Sequence, residues 1–192
     1  MPLVVQRWMT ARGYTNQEAF DELTQFSLKN LTDPFLIKDM DLAVNRLIEA
    51  YKNQEKICLY ADFDMDGTPG LALLIRGLQY LGFEKLLSFQ PNRFEDGYGV
   101  HSEIVEDFIN NHGISLFITI DVGITDVQAV EKAKELGVDF IITDHHQPKK
   151  EKPKAIAIVN PNQGDCPSGL GHLCGTGVAF YLVLALRKAM TE

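Results

Sequence analysis

Apolar residues recur along the 192-residue chain in two alternating rhythms. Short runs at residues 56–61, 85–90, Leu116–Ile120, Asp139–Thr143 and 155–159 have the length and side chains of buried strands. Between them lie stretches with helical spacing. Met40, Val44, Leu47, Ile48 and Tyr51 share one face and predict a helix over 41–52. Thr68 suits an N-cap and Pro69 the first position of a helix running to Leu81. Ser102 suits the cap of a helix over 103–111 that stops at Gly113, and Asp126 the cap of one over 127–136 that stops at Gly137. A loop rich in Gly, Asn and Pro precedes a last apolar helix at about 177–189. The first 38 residues read as an arm with one short helix at about 16–26 and a turn at Pro34, which restricts Asp33.

Strands alternating with helices predict an α/β fold: a doubly wound, mainly parallel five-stranded sheet with helices on both faces. The expected division is an arm, 1–38, and an α/β core, 39–192. Ligands of such sheets bind beyond the carboxyl ends of the strands. Here the chemistry gathers. Asp62-Phe63-Asp64-Met65-Asp66-Gly67 follows the first strand, Asp121-Val122-Gly123 the third, and Asp144-His145-His146 the fourth. Carboxylates this close repel one another, and a cation among them relieves that repulsion. A solvated turn leading into a helix is the alternative for the triplet alone. Three polar groups at three strand ends are harder to assign to turn propensity. Carboxylates with imidazole suit manganese or magnesium better than a thiolate-rich zinc site. Two such ions bridged by Asp121 could hold a phosphodiester, and a free histidine such as His146 could protonate the leaving group.

Composition narrows this picture slightly. The chain is 45% hydrophobic and 23% charged, with a formal charge of −8, which argues against a broad nucleic-acid-binding face but not against a local one. No stretch approaches the roughly 18 apolar residues of a membrane span, and no secretory signal is visible. Three cysteines without an export signal favour reduced thiols and a cytoplasmic location.

Taken together, Asp62-x-Asp64-x-Asp66-Gly67, Asp121-x-Gly123-Ile124 and Thr143-Asp144-His145-His146 resemble the DHH phosphoesterases. Pro91-Asn92-Arg93-Phe94-Glu95-Asp96-Gly97-Tyr98-Gly99 narrows the resemblance to the RecJ type, single-strand-specific 5′→3′ DNA exonucleases. Asp33-Pro34-Phe35, Val159-Asn160-Pro161-Asn162 and Gly175-Thr176-Gly177-Val178-Ala179-Phe180 extend it over nearly the whole chain. The resemblance implies hydrolysis of single-stranded DNA to mononucleotides with two Mn2+ or Mg2+ ions, in DNA repair or recombination. It implies Asp64, Asp66, Asp121 and His145 as metal ligands, with Asp121 bridging. Asp62 and His146 match the pattern, and Asp144 is expected to orient His145. Arg93 is implied as the grip on phosphate, with Tyr98 stacking on a base or closing the turn and Gly99 beside them. A single-strand-binding protein or a helicase would be partners by resemblance only.

Three departures qualify the match. Tyr60 stands where some relatives have a histidine, and Val122 where a polar or small residue is common. The family pattern also includes a further Asp and a nucleic-acid-gripping domain downstream, whereas this sequence stops at Glu192. Without them, weakened metal binding and poor processivity are expected. Two other functions fit the residues: a phosphoesterase for short oligoribonucleotides, cyclic dinucleotides or pyrophosphate, and a non-catalytic scaffold of a replication or repair complex. Elsewhere bland readings prevail. Cys166, His172 and Cys174 lack paired zinc spacing, and Lys149–Lys154 fits a solvated loop. Gly175-Thr176-Gly177 reads as phosphate-facing N–H groups or as a tight helix start. His101 and His112 read as structural.

Overall fold

The computed structural model describes residues 2–24 and 27–191. The chain divides between Thr32 and Asp33 into two compact units. The first holds α1 (Leu3–Thr10), α2 (Gln17–Thr24) and a 3-10 turn at Leu28–Asn30. Asn16 starts α2 by accepting a hydrogen bond from Ala19 N at 2.8 Å, and the expected end of that helix at Phe26 lies outside the described residues. The α1 helix is not predicted by the spacing, because Val4 and Val5 are weak helix formers and most of its apolar side chains remain exposed.

The second unit carries the α/β architecture. Its strands are β1 (Ile57–Ala61), β2 (Leu86–Phe89), β3 (Leu116–Ile120), β4 (Asp139–Thr143) and β5 (Ala157–Val159). They form one sheet in the order β2-β1-β3-β4-β5, and every pairing is parallel. Helices α3 (Met40–Lys52), α4 (Gly67–Tyr80) and α7 (Gly175–Thr191) pack together, as do α5 (Ser102–His112) and α6 (Val127–Glu135). Under α5 and α6 lies a core of Cys58, Tyr60, Val105, Ile109, Phe117, Val130, Phe140 and Ile142. The alternate residues of β1 and β3 face the other way, since side chains along a strand point to opposite faces. Ile120, for example, lies against Gly70 of α4. β1 and β3 are buried at every position, so they read as continuous apolar runs rather than alternating ones.

α6 starts at Val127 as the sequence indicates, and other helix starts differ from the expectation by one or two residues. α4 begins at Gly67 rather than Pro69, because the Asp64 carboxylate already collects the N–H groups of Asp66 and Gly67 at 2.8 and 2.9 Å. Pro69 is still accommodated, since first-turn N–H groups have no partner within the helix. Ser102 is the first residue of α5, not its cap. Asp126 occupies the cap position of α6, yet its side chain accepts Val100 N at 2.9 Å instead of a helical N–H. The Pro34–Leu36 turn belongs with the α/β unit, packing on α3 and α7. Among the described residues no helix is long and apolar enough to cross a membrane.

The amino ends of the strands are tied by Arg46, whose side chain is 7% exposed. Its guanidinium donates to Asp139 at 2.5 Å, to Glu55 at 2.6 Å and to the Ser115 carbonyl at 3.4 Å. These partners stand at or just before the starts of β4, β1 and β3. Removing the cation leaves the largely buried Glu55 carboxylate uncompensated, while Asp139 is half exposed. Arg46→Met is therefore expected to lower unfolding free energy by about 2–3 kcal/mol in urea titration, with the sheet intact by circular dichroism.

Candidate metal centre

Register alone brings three aspartates into one row. Ala61, Ile120 and Thr143 are adjacent across β1, β3 and β4, so the next residues, Asp62, Asp121 and Asp144, leave the sheet side by side. The ladder continues through them: Asp62 N donates to Ile120 O at 3.1 Å, Asp121 N to Thr143 O at 2.9 Å, and Asp144 N to Val159 O at 3.2 Å. Residues nearly 60 and more than 20 positions apart thereby share one rim.

The backbone then turns each side chain inward. Asp121 adopts a left-handed conformation, φ 62°, which aspartate tolerates better than most residues. Its side chain is 1% exposed, and Oδ1 accepts no hydrogen bond. Gly67 is required beside Asp62, because a Cβ there would fall 2.8 Å from the Asp62 carbonyl carbon. Asp66 lies at the start of α7: Gly175 N donates to Oδ2 at 2.5 Å and Thr176 N to Oδ1 at 2.8 Å. Those N–H groups thus serve a carboxylate of the chain itself, which removes the phosphate-binding reading of Gly175-Thr176-Gly177.

The histidines are held differently from one another. Asp144 Oδ1 accepts His145 N at 2.7 Å and His146 N at 3.0 Å, faces His146 Nδ1 at 2.7 Å, and Oδ2 accepts Ile124 N at 3.0 Å. Asp144 therefore orients the ring of His146, not that of His145 as expected. His145 Nε2 stands 3.2 Å from Asp121 Oδ1 and 3.6 Å from Asp66 Oδ2. Asn162 and Asn160 hold the pair from behind, donating to the His145 and His146 carbonyls at 2.5 and 2.9 Å. The Asn160-Pro161-Asn162 motif marked these residues, but nothing in it showed that they brace histidines.

Two groups of donor atoms lie within 4.8 Å of one another: Asp62, Asp64 and Asp121, and Asp121, His145 and His146. Asp121 belongs to both. A donor set of carboxylate oxygens and imidazole nitrogens sharing one buried carboxylate whose Oδ1 has no hydrogen-bond partner fits two adjacent hard cations. Asp66 stands outside both groups, next to His145.

Electrostatics agree with that fit. Burial, then the charges of Asp66 and Asp64, push Asp121 up to about 8. The hydrogen bond to Asp144 raises His146 to about 9. Burial, and next in weight among the raising influences the Asp64 charge, raises Asp62. For Asp64 and Asp66 burial works upward but the N–H groups bonded to them prevail and hold both below the usual range. Without a cation the site therefore retains protons that a cation would replace.

The residues expected to meet substrate line the rim. Arg93 is exposed, its guanidinium 5.6 Å from the Phe63 ring centroid, beside an open pocket of about 600 Å³ that includes Asp64, Met65, Thr68 and Pro69. Among the described residues it forms no ion pair with Glu95 or Asp96, and Asp96 instead accepts Asn92 N at 2.7 Å. Tyr98 is 56% exposed, its ring edge-on to His146 with centroids 6.3 Å apart. Gly99 is buried, φ 102°, and its carbonyl accepts the Tyr60 hydroxyl at 2.9 Å. Tyr60 itself belongs to the core under α5 and α6, so the side chain at that position props the Gly99 loop. Val122 is buried in the same core, which accounts for an apolar residue there. No donor group among the described residues joins Cys166, His172 and Cys174.

The shifts carry a sign. Asp121, raised from 3.8 to about 8, stabilises the fold fully below pH 3.8 and loses that contribution as pH rises through 8. His146, raised from 6.5 to about 9, loses its own as pH rises through 9. Asp144 is held low, its burial outweighed by hydrogen bonds from His146 and Ile124, so it is charged throughout this window. In chelator-treated protein, Tm is expected to fall by roughly 5–10 °C between pH 6.5 and 9.5. Asp121→Asn should remove about half of that fall in scanning calorimetry, and a flat wild-type profile would contradict the assignment.

Comparison with known proteins follows the same lines. The DHH family, N-terminal domain, matches residues 56–192. Among curated proteins, the single-stranded-DNA-specific exonuclease RecJ of Haemophilus influenzae is 39% identical over 189 residues, 98% of this chain and 32% of that protein. RecJ of Bacillus subtilis is 39% identical over 185 residues, 96% of this chain and 23% of that protein. The chain thus spans about a third or less of the relatives it matches. A crystal structure of exonuclease RecJ bound to manganese superposes with a TM-score of 0.73 at 36% identity, covering 80% of this chain and 38% of that one. RecJ of Thermus thermophilus in complex with Mn2+ gives 0.67 at 33% identity, over 81% and 22%. With a match across most of its length and the ligand-bearing motifs gathered at one sheet edge, this chain belongs to the DHH family, as its N-terminal domain.

Proposed function

We propose that this chain is the metal-bearing part of a single-strand-specific DNA exonuclease that releases mononucleotides in the 5′→3′ direction. The observation that carries the reading is Asp121: a buried carboxylate whose Oδ1 has no hydrogen-bond partner, faces His145 Nε2 at 3.2 Å and is shared by two donor groups. Polarity and substrate come from the likeness to RecJ exonucleases. The manganese-bound RecJ structures support Mn2+, with Mg2+ as the alternative hard cation.

Asp62, Asp64, Asp121 and His145 would hold the ions, with Asp66 fixed beside His145 to complete their surroundings. Two such ions supply Lewis acidity toward phosphate and a nucleophile from water near neutral pH. The remaining work belongs to the chain. Arg93 reaches past Asp64 and engages two oxygens of one phosphate, as a planar guanidinium can. Its perch over Phe63 limits the arcs it can sweep. His146 gives its Nδ1–H to Asp144, which leaves Nε2–H for the departing 3′ oxygen. Tyr98, edge-on to that ring, stacks on the base or steadies His146. Asp144, with four contacts already made, orients and does not ligate.

The partner is single-stranded DNA, and a cytoplasmic place agrees with the three free cysteines. The test uses the chain itself with 5′-labelled single-stranded DNA and manganese. Mononucleotide release is expected, with Asp64→Ala and His145→Ala each reducing it by about 100-fold or more. Faster turnover of a dinucleotide than of a long strand would favour the small-molecule phosphoesterase. A chain that takes up no manganese in calorimetry would be a scaffold.

A further inference from the structure

The start of α7 is capped in an unusual way. A helix that needs only a cap normally finds it in the residue just before its first turn. Here the capping carboxylate comes from Asp66, 109 positions away from Gly175. Gly175 N takes Oδ2 and Thr176 N takes Oδ1, so both oxygens are pinned and the plane of the carboxylate is set. A third bond holds the backbone of the same residue: Thr176 Oγ1 donates to the Asp66 carbonyl at 2.7 Å. Thr176 is itself seated against α4, where a Cβ on Gly70 would come within 3.4 Å of its Cα.

A second observation concerns a different carboxylate. A Cβ on Gly175 would fall 2.5 Å from both Cβ and Cγ of Asp121. The bare Cα of Gly175 therefore closes one side of the group whose Oδ1 is buried without a hydrogen bond. One turn thus touches Asp66 by hydrogen bonds and Asp121 by contact.

We propose that Gly175 and Thr176 are positioning residues of the metal centre: Thr176 fixes the aim of Asp66, and Gly175 permits and bounds the buried placement of Asp121. The inference rests on the metal-centre reading above. Neither residue touches the ions or the substrate; each acts through a carboxylate. Thr176 supplies two of the three hydrogen bonds that α7 makes to Asp66. The Asp66 carbonyl also accepts Gly70 N at 3.2 Å and its N–H donates to Asp64, so loss of the Thr176 hydroxyl loosens the seat of Asp66 on α7 while the amide bonds and both helices remain. Any side chain at 175 forces Asp121 out of the place it shares between the two donor groups.

The experiment is calorimetric titration of the 192-residue chain with manganese, alongside Tm measured in chelator. Thr176→Val is expected to weaken manganese binding about 10-fold, the usual effect of releasing a bond that orients a ligand, while Tm moves by less than about 3 °C. Thr176→Ser, which keeps the hydroxyl, is expected to restore wild-type affinity. Gly175→Ala is expected to weaken binding about 100-fold through Asp121. Manganese affinity unchanged in Thr176→Val overturns the role of Thr176 while the metal centre stands. A loss in Thr176→Val that Thr176→Ser fails to rescue, or that comes only with a large fall in Tm, overturns it as well. A wild-type chain that takes up no manganese ends both this inference and the reading beneath it.

Discussion

The structure depends on parallel register. β1, β3 and β4 are hydrogen-bonded so that Ala61, Ile120 and Thr143 stand abreast, and the next residue of each strand is an aspartate. Because the ladder runs one residue further, Asp62, Asp121 and Asp144 are placed by backbone hydrogen bonds, not by side-chain preference. Slipping a parallel strand by one residue would turn its ligand to the opposite face and expose its core side chains. Core packing and site geometry are therefore enforced together. The apolar runs that bury β1 and β3 also hold the acidic rim in line.

Gathering charge in this way is costly, and the chain moderates it through main-chain donors. Asp64 draws on two N–H groups of its own turn, Asp66 on two from α7, and Asp144 on three plus the ring of His146. Each of these carboxylates is kept ionised by bonds that also fix its direction. Asp121 differs: it is the most buried of the ligand candidates, and its Oδ1 is without a hydrogen-bond partner. An unpaired carboxylate oxygen in such a place destabilises the fold unless a proton or a cation occupies it. The strain of a left-handed backbone at Asp121 has the same sense, since such strain persists where function requires the direction it provides. The two ends of the sheet thus contrast: at the amino ends the Arg46 cation sits between the Glu55 and Asp139 carboxylates, and at the carboxyl ends acidic groups gather with no Lys or Arg paired to them among the described residues.

How the rim is built explains which neighbours matter. Asn160 and Asn162 follow β5 and hold the histidine carbonyls, so the edge strand contributes to the centre without a ligand of its own. Tyr60 reaches from β1 to the Gly99 carbonyl, linking the sheet to the loop that carries Arg93 and Tyr98. Met65 and Phe94 are almost wholly exposed around that loop, and together with Tyr98 they make an apolar border to a polar site. Such a border suits ring faces of bases more than free phosphate.

Much of this was legible in the chain. Apolar runs of strand length, separated by helical spacing, specify a parallel sheet because only crossover helices can join such strands. Aspartates and histidines directly after those runs can point only to the rim, so Asp62, Asp64, Asp121, His145 and His146 were identifiable as neighbours before any distance was known. What remained hidden depends on contacts between residues far apart in sequence. That Asp144 serves His146, that α7 starts at Gly175 to meet Asp66, and that residue 60 faces the core are set by packing of α7, α4 and β5. Local pattern records which face a residue occupies within its own element. Which residue of another element lies opposite is decided only when the layers close, because the energy of that choice resides in pairs far apart in sequence, 110 positions for Asp66 and Thr176.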